Sequence, residues 1–386
     1  MKSDWKIVTI NDCADVVGDG LHGTPQYSQN GEYAFVNGNN LINGKVVIKS
    51  DTKRVIFSEF EKYKKELNDR TIFVSINGTL GNVSVYNNEK IILGKSVCFI
   101  NVKNGYDKNF LFYILSSPTF RNYMETNSTG TTIKNFSLKQ MREYSFSLPD
   151  ICLQKKIAAI LSALDEKIAI NRAINDNLQQ QAAALFSSLY DRSNTEVRFT
   201  DLIQILGGGT PKTGENTYWN GNIAFFTPKD VGTPYTLITE KTISKEGLSH
   251  CNSRLYPVNT VFVTARGTVG KVGMSGVPMA MNQSCYALVG KETHQLLVYF
   301  YTLKAVDRLK HKASGAVFDA ITTRDFESEQ IMKLSDDDGT AFLRVAEPMF
   351  QEILNNNIEN LRLSTLRDSL LPKLMSGEID VSTVQL

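Results

Sequence analysis

The sequence predicts an α+β chain made of two tandem copies of one mixed unit, each followed by a long helix. Three observations predict it. Short motifs recur in the same order about 188 residues apart, a stretch of 40 residues between the copies has no glycine or proline, and its apolar spacing returns after the second copy.

Gly23-Thr24-Pro25 returns as Gly209-Thr210-Pro211, an offset of 186. Ile72-Phe73-Val74-Ser75-Ile76-Asn77-Gly78-Thr79-Leu80-Gly81 returns as Val261-Phe262-Val263-Thr264-Ala265-Arg266-Gly267-Thr268-Val269-Gly270, at 189. Ser128 to Thr132 has its counterpart in Ala313 to Val317, at 185. A period this long marks a duplicated domain plus linker, and the drift of a few residues fits loop insertions. Two such units can be related by a pseudo-two-fold axis. That arrangement suits a ligand with approximate two-fold symmetry of its own, duplex DNA above all.

The first unit is assigned to residues 1–150 and the second to 193–335. Within them Thr71–Ile76, Lys90–Val102, Asn259–Ala265 and Met281–Val289 are β-branched or apolar runs bounded by Gly, Asn and Pro, and read as strands. Phe110–Leu115 and Val298–Leu303 read as short matching helices. Each unit is therefore expected to hold a curved sheet or partial barrel with helices.

Between the units, 151–192 reads as a helix rich in Ala, Leu, Ile, Gln and Lys, with Pro149 before it and Asp150 as N-cap. Its apolar residues fall at alternating steps of four and three: Ile157, Leu161, Leu164, Ile168, Asn171, Asn175, Leu178, Ala182, Leu185 and Leu189. That spacing predicts a coiled-coil stripe rather than a wide core-facing surface. The last segment, 336–386, repeats the stripe at an offset of 185 through Phe342, Ala346, Met349, Ile353, Asn356, Asn360, Leu363, Arg367 and Leu370. The asparagines recur within it, and polar seam residues penalise wrong registers, so they are expected to key one helix to the other in an antiparallel coiled coil. Pro348 predicts a kink, or a helix that starts there after an irregular lead-in.

Composition narrows the class. Across 386 residues, 42% hydrophobic and 21% charged content describes a globular chain with room for two cores. No apolar run approaches a membrane span of ~18–20 residues, and Met1-Lys2-Ser3-Asp4 leads into no apolar stretch. The expectation is a cytoplasmic protein without a membrane segment. Five cysteines with no CxxC pair read as isolated reduced thiols, and four scattered histidines suggest no metal site. Charge is unevenly spread: +3 in 1–150 (18 basic, 15 acidic), +3 in 193–335 (15 and 12), and −5 in 336–386 (4 and 9). Mildly basic units permit nucleic-acid binding without demanding it.

Catalytic signatures fail on inspection. Gly94-Lys95-Ser96 ends like a phosphate loop, but position 89 is Glu89 where a glycine is needed. Gly207-Gly208-Gly209 opens no dinucleotide fingerprint and reads as a flexible turn. No GxSxG, HExxH or Asn-Pro-Pro-Tyr-like tetrapeptide occurs. The expectation is a chain with no catalytic, cofactor-binding or metal-binding residues of its own.

Leu148-Pro149-Asp150-Ile151-Cys152-Leu153-Gln154-Lys155-Lys156-Ile157-Ala158 resembles the "LPPLxEQxxIA" start of the central helix in the specificity subunits of type I restriction-modification systems. Leu164-Asp165-Glu166-Lys167-Ile168 continues that likeness, and Leu366 through Ile379 resembles the family's C-terminal signature. The likeness extends over essentially the whole chain. One departure stands out: Asp336-Asp337-Asp338-Gly339-Thr340 lacks the Gln-x-x-Ile-Ala start, leaving the beginning of the second helix open.

The resemblance implies a non-catalytic subunit whose two units are target recognition domains, each reading half of a gapped site in double-stranded DNA. It implies that the helices fix the gap and dock two methyltransferase (M) subunits, with restriction (R) subunits completing the complex. S-adenosylmethionine, ATP and Mg would then sit on partner subunits. Two other readings stay open: the specificity component of a type IIG or IIB-like system, and a tandem lectin-like or protein-binding module.

Base readout needs side chains with paired donors and acceptors, Arg for guanine and Asn or Gln for adenine. Arg266, in a glycine-flanked turn after a strand, is the leading candidate, with Asn77 its match in the first copy. Asn282 and Gln283 align with Gly94 and Lys95, while Asn37, Asn39 and Asn40 stand opposite Thr227, Lys229 and Asp230. Thr24, Thr79 and Lys134 complete the candidates in the first copy, and Thr210, Lys212, Thr268 and Lys271 those in the second.

Overall fold

The structure, a computed structural model, describes residues 5–130, 133–232, 234–312 and 320–384. Most of the repeat at 128–132 and 313–317 therefore lies outside the described residues, as do Met1 to Asp4. The chain divides into two compact units, Met1–Lys167 with Leu363–Leu386, and Ile168–Arg362.

In the first unit Ala14–Asp19, Val97–Val102, Thr71–Ser75 and Val83–Val85 form a four-stranded sheet in that spatial order. Thr71–Ser75 lies between two partners and is buried throughout, which is why it reads as a continuous apolar run rather than an alternating one. A second sheet places Tyr33–Val36 between Arg54–Val55 and Ile91–Leu93, the latter pair parallel. Lys6–Thr9 pairs with Ser145–Leu148, so the unit's first and last strands meet just before the long helix.

The second unit repeats this topology. Ile203–Gly207, Cys285–Gly290, Val261–Thr264 and Val272–Ser275 form the matching sheet, extended by Tyr235–Thr236. Trp219–Phe226 pairs in parallel with Met279–Met281 and antiparallel with Lys241–Ile243. Thr195–Arg198 pairs with Gln330–Lys333.

Two of the expected strands divide. Lys90–Val102 becomes Ile91–Leu93 and Val97–Val102, and Met281–Val289 becomes Met279–Met281 and Cys285–Gly290. In each case the halves belong to different sheets, and a three-residue turn carries the chain from one to the other. Apolar content is continuous through both halves, so composition alone hides the break.

The helices after these strands differ between copies. Gln295–Lys312 is unbroken, whereas its counterpart stops at Ser116 and restarts at Pro118. Ser117 is extended (φ −69°, ψ 149°) and caps the new helix through Phe120 N–H, with Pro118 in the first turn, where no N–H partner is required.

The long helices span Ile151–Tyr190 and Asp336–Met375. Asp150 accepts from Leu153 N–H at 3.0 Å, the N-cap expected from sequence. The second helix runs through Pro348 from a start twelve residues earlier. Ser335 caps it by accepting from Asp338 N–H at 3.1 Å, and three aspartates in the first turn complement the helix dipole.

No stripe position expected at the seam is exposed, but the apolar face is wider than a coiled-coil stripe. Ile157, Ala158 and Leu161 join Leu371 and Leu374 in the first unit's core, and Ala182, Phe186 and Leu189 join Phe342, Ala346 and Phe350 in the second's. Those turns each pack on a domain as well as on a partner helix, so they need apolar residues beyond the two seam positions.

Within the second unit the asparagines meet. Asn171 Nδ2 donates to Asn360 Oδ1 at 3.0 Å and to Glu359 Oε2 at 2.6 Å, while Asn356 Nδ2 donates to Asn175 Oδ1 at 2.9 Å. Within the first unit Arg367 donates to Asp165 Oδ1 at 2.5 Å, and Tyr113 donates to Asp165 Oδ2 at 2.7 Å. In the second unit the step from Asn171 forward to Asn175 matches the step from Asn360 back to Asn356, so the pair is antiparallel.

Candidate nucleic-acid interface

Each unit gathers the same loops at one end of its sheets. The turn after the central strand is built alike in both copies. Ser75 Oγ accepts from Asn82 N–H at 2.8 Å, and Thr264 Oγ1 accepts from Lys271 N–H at 2.9 Å. Gly78 and Gly81 have φ of +74° and +77°, Gly267 and Gly270 +82° and +73°, a region that favours glycine. A side chain at Gly78 would meet nothing within 4 Å. The positive φ by itself favours glycine at all four positions, and at Gly270 a Cβ would also crowd the Lys310 side chain.

Two further loops attach to this turn. Ile76 N–H donates to Ser96 O at 2.9 Å and Ala265 N–H to Ser284 O at 2.8 Å, tying on the cross-sheet turns 94–96 and 282–284. Phe136 N–H donates to Ile76 O and Ile321 N–H to Ala265 O, both at 2.9 Å, tying on the segments that follow the helices.

The Gly-Thr-Pro loops join through the residues before them. A Cβ on Gly20 would lie 2.2 Å from Leu93 O, and one on Gly208 2.2 Å from Asn282 O, so glycine is required at both. A Cβ on Gly209 would also crowd Asn252 N at 2.6 Å. The Gly207-Gly208-Gly209 run is thus closely packed at its last two positions, not a flexible turn.

In the first unit Asn77, Lys95, His22, Asp19 and Asn135 line a cleft of about 450 Å³. Asn77 Nδ2 donates to Asn135 Oδ1 at 3.1 Å, and His22 Nε2 lies 2.6 Å from Asp19 Oδ2. Thr24, Asn39, Thr79 and Lys134 are exposed on the same set of loops. In the second unit Arg266, Lys212, Lys271 and Gln283 are exposed, and Thr210 Oγ1 donates to Gln283 Oε1. Arg266 has no hydrogen bond or ion pair from its guanidinium among the described residues, which leaves its planar fork free for a ligand.

Several candidates also bond within the loops. Asn40 is 4% exposed and spends its amide on Val47 O and Thr52 Oγ1 while accepting from Asn37 N–H. Burial removes it from any surface role. Asn37 Oδ1 accepts from Ser96 Oγ at 3.2 Å, and Asn282 Oδ1 accepts from Ser284 N–H at 3.0 Å. Thr268 Oγ1 donates to Pro228 O at 3.2 Å, and Lys229 pairs with Glu240 at 3.6 Å. Short polar side chains in tight turns satisfy neighbouring backbone first.

Two cations that sequence reasoning missed lie against the turns. Arg121 Nη2 donates to Gly81 O at 3.4 Å, and the Lys310 side chain passes over Gly270. They are some 40 residues from the turns in sequence, so only the fold brings them there.

Among the described residues no group of three or more His, Cys, Asp or Glu is placed to hold a metal ion, and no helix is long and apolar enough to cross a membrane. What the loops present is a surface of amides, hydroxyls and cations, suited to base edges and phosphates.

Comparison with known proteins agrees. The chain is 25% identical over 354 residues to the type I restriction enzyme HindI specificity subunit of Haemophilus influenzae, covering 70% of this chain and 77% of that protein. It is 22% identical over 413 residues to the MjaIX specificity subunit of Methanocaldococcus jannaschii, covering 98% and 94%. The crystal structure of a type I restriction-modification S subunit from M. genitalium superposes with a TM-score of 0.60, 18% identity and 96% of each chain covered. Residues 2–180 and 192–333 both match the type I restriction modification DNA specificity domain. The chain therefore belongs to the type I restriction-modification DNA specificity family and contains its domain twice.

Proposed function

We propose that this chain reads a bipartite, gapped DNA site, one half per domain, and is the non-catalytic address subunit of a modification and restriction complex. One observation carries the reading. Both units keep the same sheets and the same glycine turn, yet the side chains on those loops differ: half-buried Asn77 against exposed Arg266, and exposed Lys95 against exposed Gln283. A scaffold conserved between copies with changed reading positions fits two different half-sites.

Partner contacts follow from the same reading. The long helices dock two methyltransferase subunits and set the gap, and restriction subunits join them. S-adenosylmethionine, ATP and Mg belong to those partners, and the complex works in the cytoplasm on double-stranded DNA.

Sequencing of modified adenines in the host genome, with the gene present and then deleted, tests this. The expected result is a gapped methylation motif that vanishes on deletion. Reconstitution with the methyltransferase subunits that yields no motif would reject the reading, and a neighbouring single chain carrying both methyltransferase and nuclease motifs would favour a type IIG or IIB-like role.

A further inference from the structure

We propose that Arg121 and Lys310 are phosphate-contacting residues, one per domain, that hold the DNA backbone against the reading turns. The inference rests on the DNA-reading assignment above and deepens it.

The two cations reach equivalent places from the helices that follow each sheet. Arg121 lies against Gly81: Cγ and Nε would be 3.8 and 3.9 Å from a Cβ placed there, and Nη2 donates to the glycine carbonyl at 3.4 Å. Lys310 lies against Gly270, where Cε and Nζ would be 2.6 and 3.3 Å from a Cβ. Glycine at 270 thus leaves the space through which the lysine stem crosses the turn. Both residues are exposed.

Charge separates Lys310 from its neighbours. Arg308 and Lys312 both turn to Glu329, a carboxylate with 0% exposure, Arg308 Nε at 3.0 Å from Oε1 and Lys312 on Oε2. His311 lies 3.7 Å from Asp307. Of the cations in the helix's last two turns, Lys310 alone has no carboxylate partner among the described residues. Arg121 likewise has no carboxylate partner among them.

An uncompensated cation laid over a turn whose other residues face base edges suits the phosphate beside the bases being read. Its contribution is a charge that positions the duplex and carries no sequence information.

The test uses the full chain assembled with its methyltransferase subunits, a duplex carrying the gapped motif and a scrambled duplex, at several salt concentrations. Arg121→Gln and Lys310→Gln are each expected to weaken both duplexes alike. Each should flatten the log–log salt slope by about 0.9, so that the wild-type advantage narrows roughly 3.5-fold between 50 and 200 mM salt. Arg121→Lys and Lys310→Arg, which keep the charge, should restore the slope.

An unchanged slope for the Gln variants would reduce both residues to braces of the turn and overturn the proposal. Loss confined to the motif duplex would overturn it too, by making them base readers. If the wild-type complex itself fails to prefer the motif, the DNA-reading assignment fails, a result distinct from either.

Discussion

Asn356 donates through Nδ2 to Asn175 Oδ1 at 2.9 Å, so two amides, each at least nine-tenths buried, join one long helix to the other. Asn175 passes the bond on, donating to Asn357 Oδ1 at 2.9 Å. Replacing one member alone strands its partners away from water. Asn175→Leu is expected to cost about 1–3 kcal/mol, while Asn175→Leu with Asn356→Leu recovers much of that loss. Urea unfolding of the full chain measures both, and a single variant as stable as wild type would remove the pairing from the account.

Burial pushes the phenols of Tyr144 and Tyr299 up from the ordinary 10 to about 12. A raised folded pKa contributes stability that is full below pH 10 and is lost as pH rises toward 12. The fold is therefore expected to weaken across that window by roughly 2–3 kcal/mol for each tyrosine. Urea midpoints at pH 9 and 11.5 should differ accordingly, and Tyr299→Phe should shrink the difference. A flat profile would contradict it.

Arg266→Ala is expected to weaken binding to the gapped motif by about 1–3 kcal/mol and to relax one base position, if its free guanidinium reads a guanine. Competition between motif and single-base variants measures this. Equal loss on every sequence with a shallower salt slope would reassign the residue to phosphate.

Matched heptads inserted after Ile168 and after Leu363 keep the antiparallel pairing on both sides of the insertion. Seven residues add about 10 Å of helix, close to three base pairs of duplex, so the gap in the methylation motif is expected to lengthen by roughly that amount. A motif with its original gap would separate the helices from gap selection.

Sequence showed the duplication, the two helices and their asparagines, because each leaves a local trace: a recurring motif, a seven-residue period, a polar break in an apolar stripe. It also indicated that Arg266 and Asn77 share a place. The start of the second helix was obscured by Pro348. Proline removes one N–H bond without preventing forty residues that pack along their length from staying helical, and Ser335 with three aspartates supplies the cap.

Which polar residues are free to meet DNA was decided by tertiary structure. Asn40 and Asn39 are neighbours of the same type, yet one is buried in a hairpin and the other exposed. Strand breaks at Gly94–Ser96 and Asn282–Ser284 arise because the chain changes sheets there, a pairing choice that apolar content does not record. Arg121 and Lys310 reach their turns only through helix packing on the sheet. Local periodicity and composition thus determined the plan of the molecule, whereas contacts between distant residues, whose energies depend on burial and hydrogen-bond supply, decided its surface.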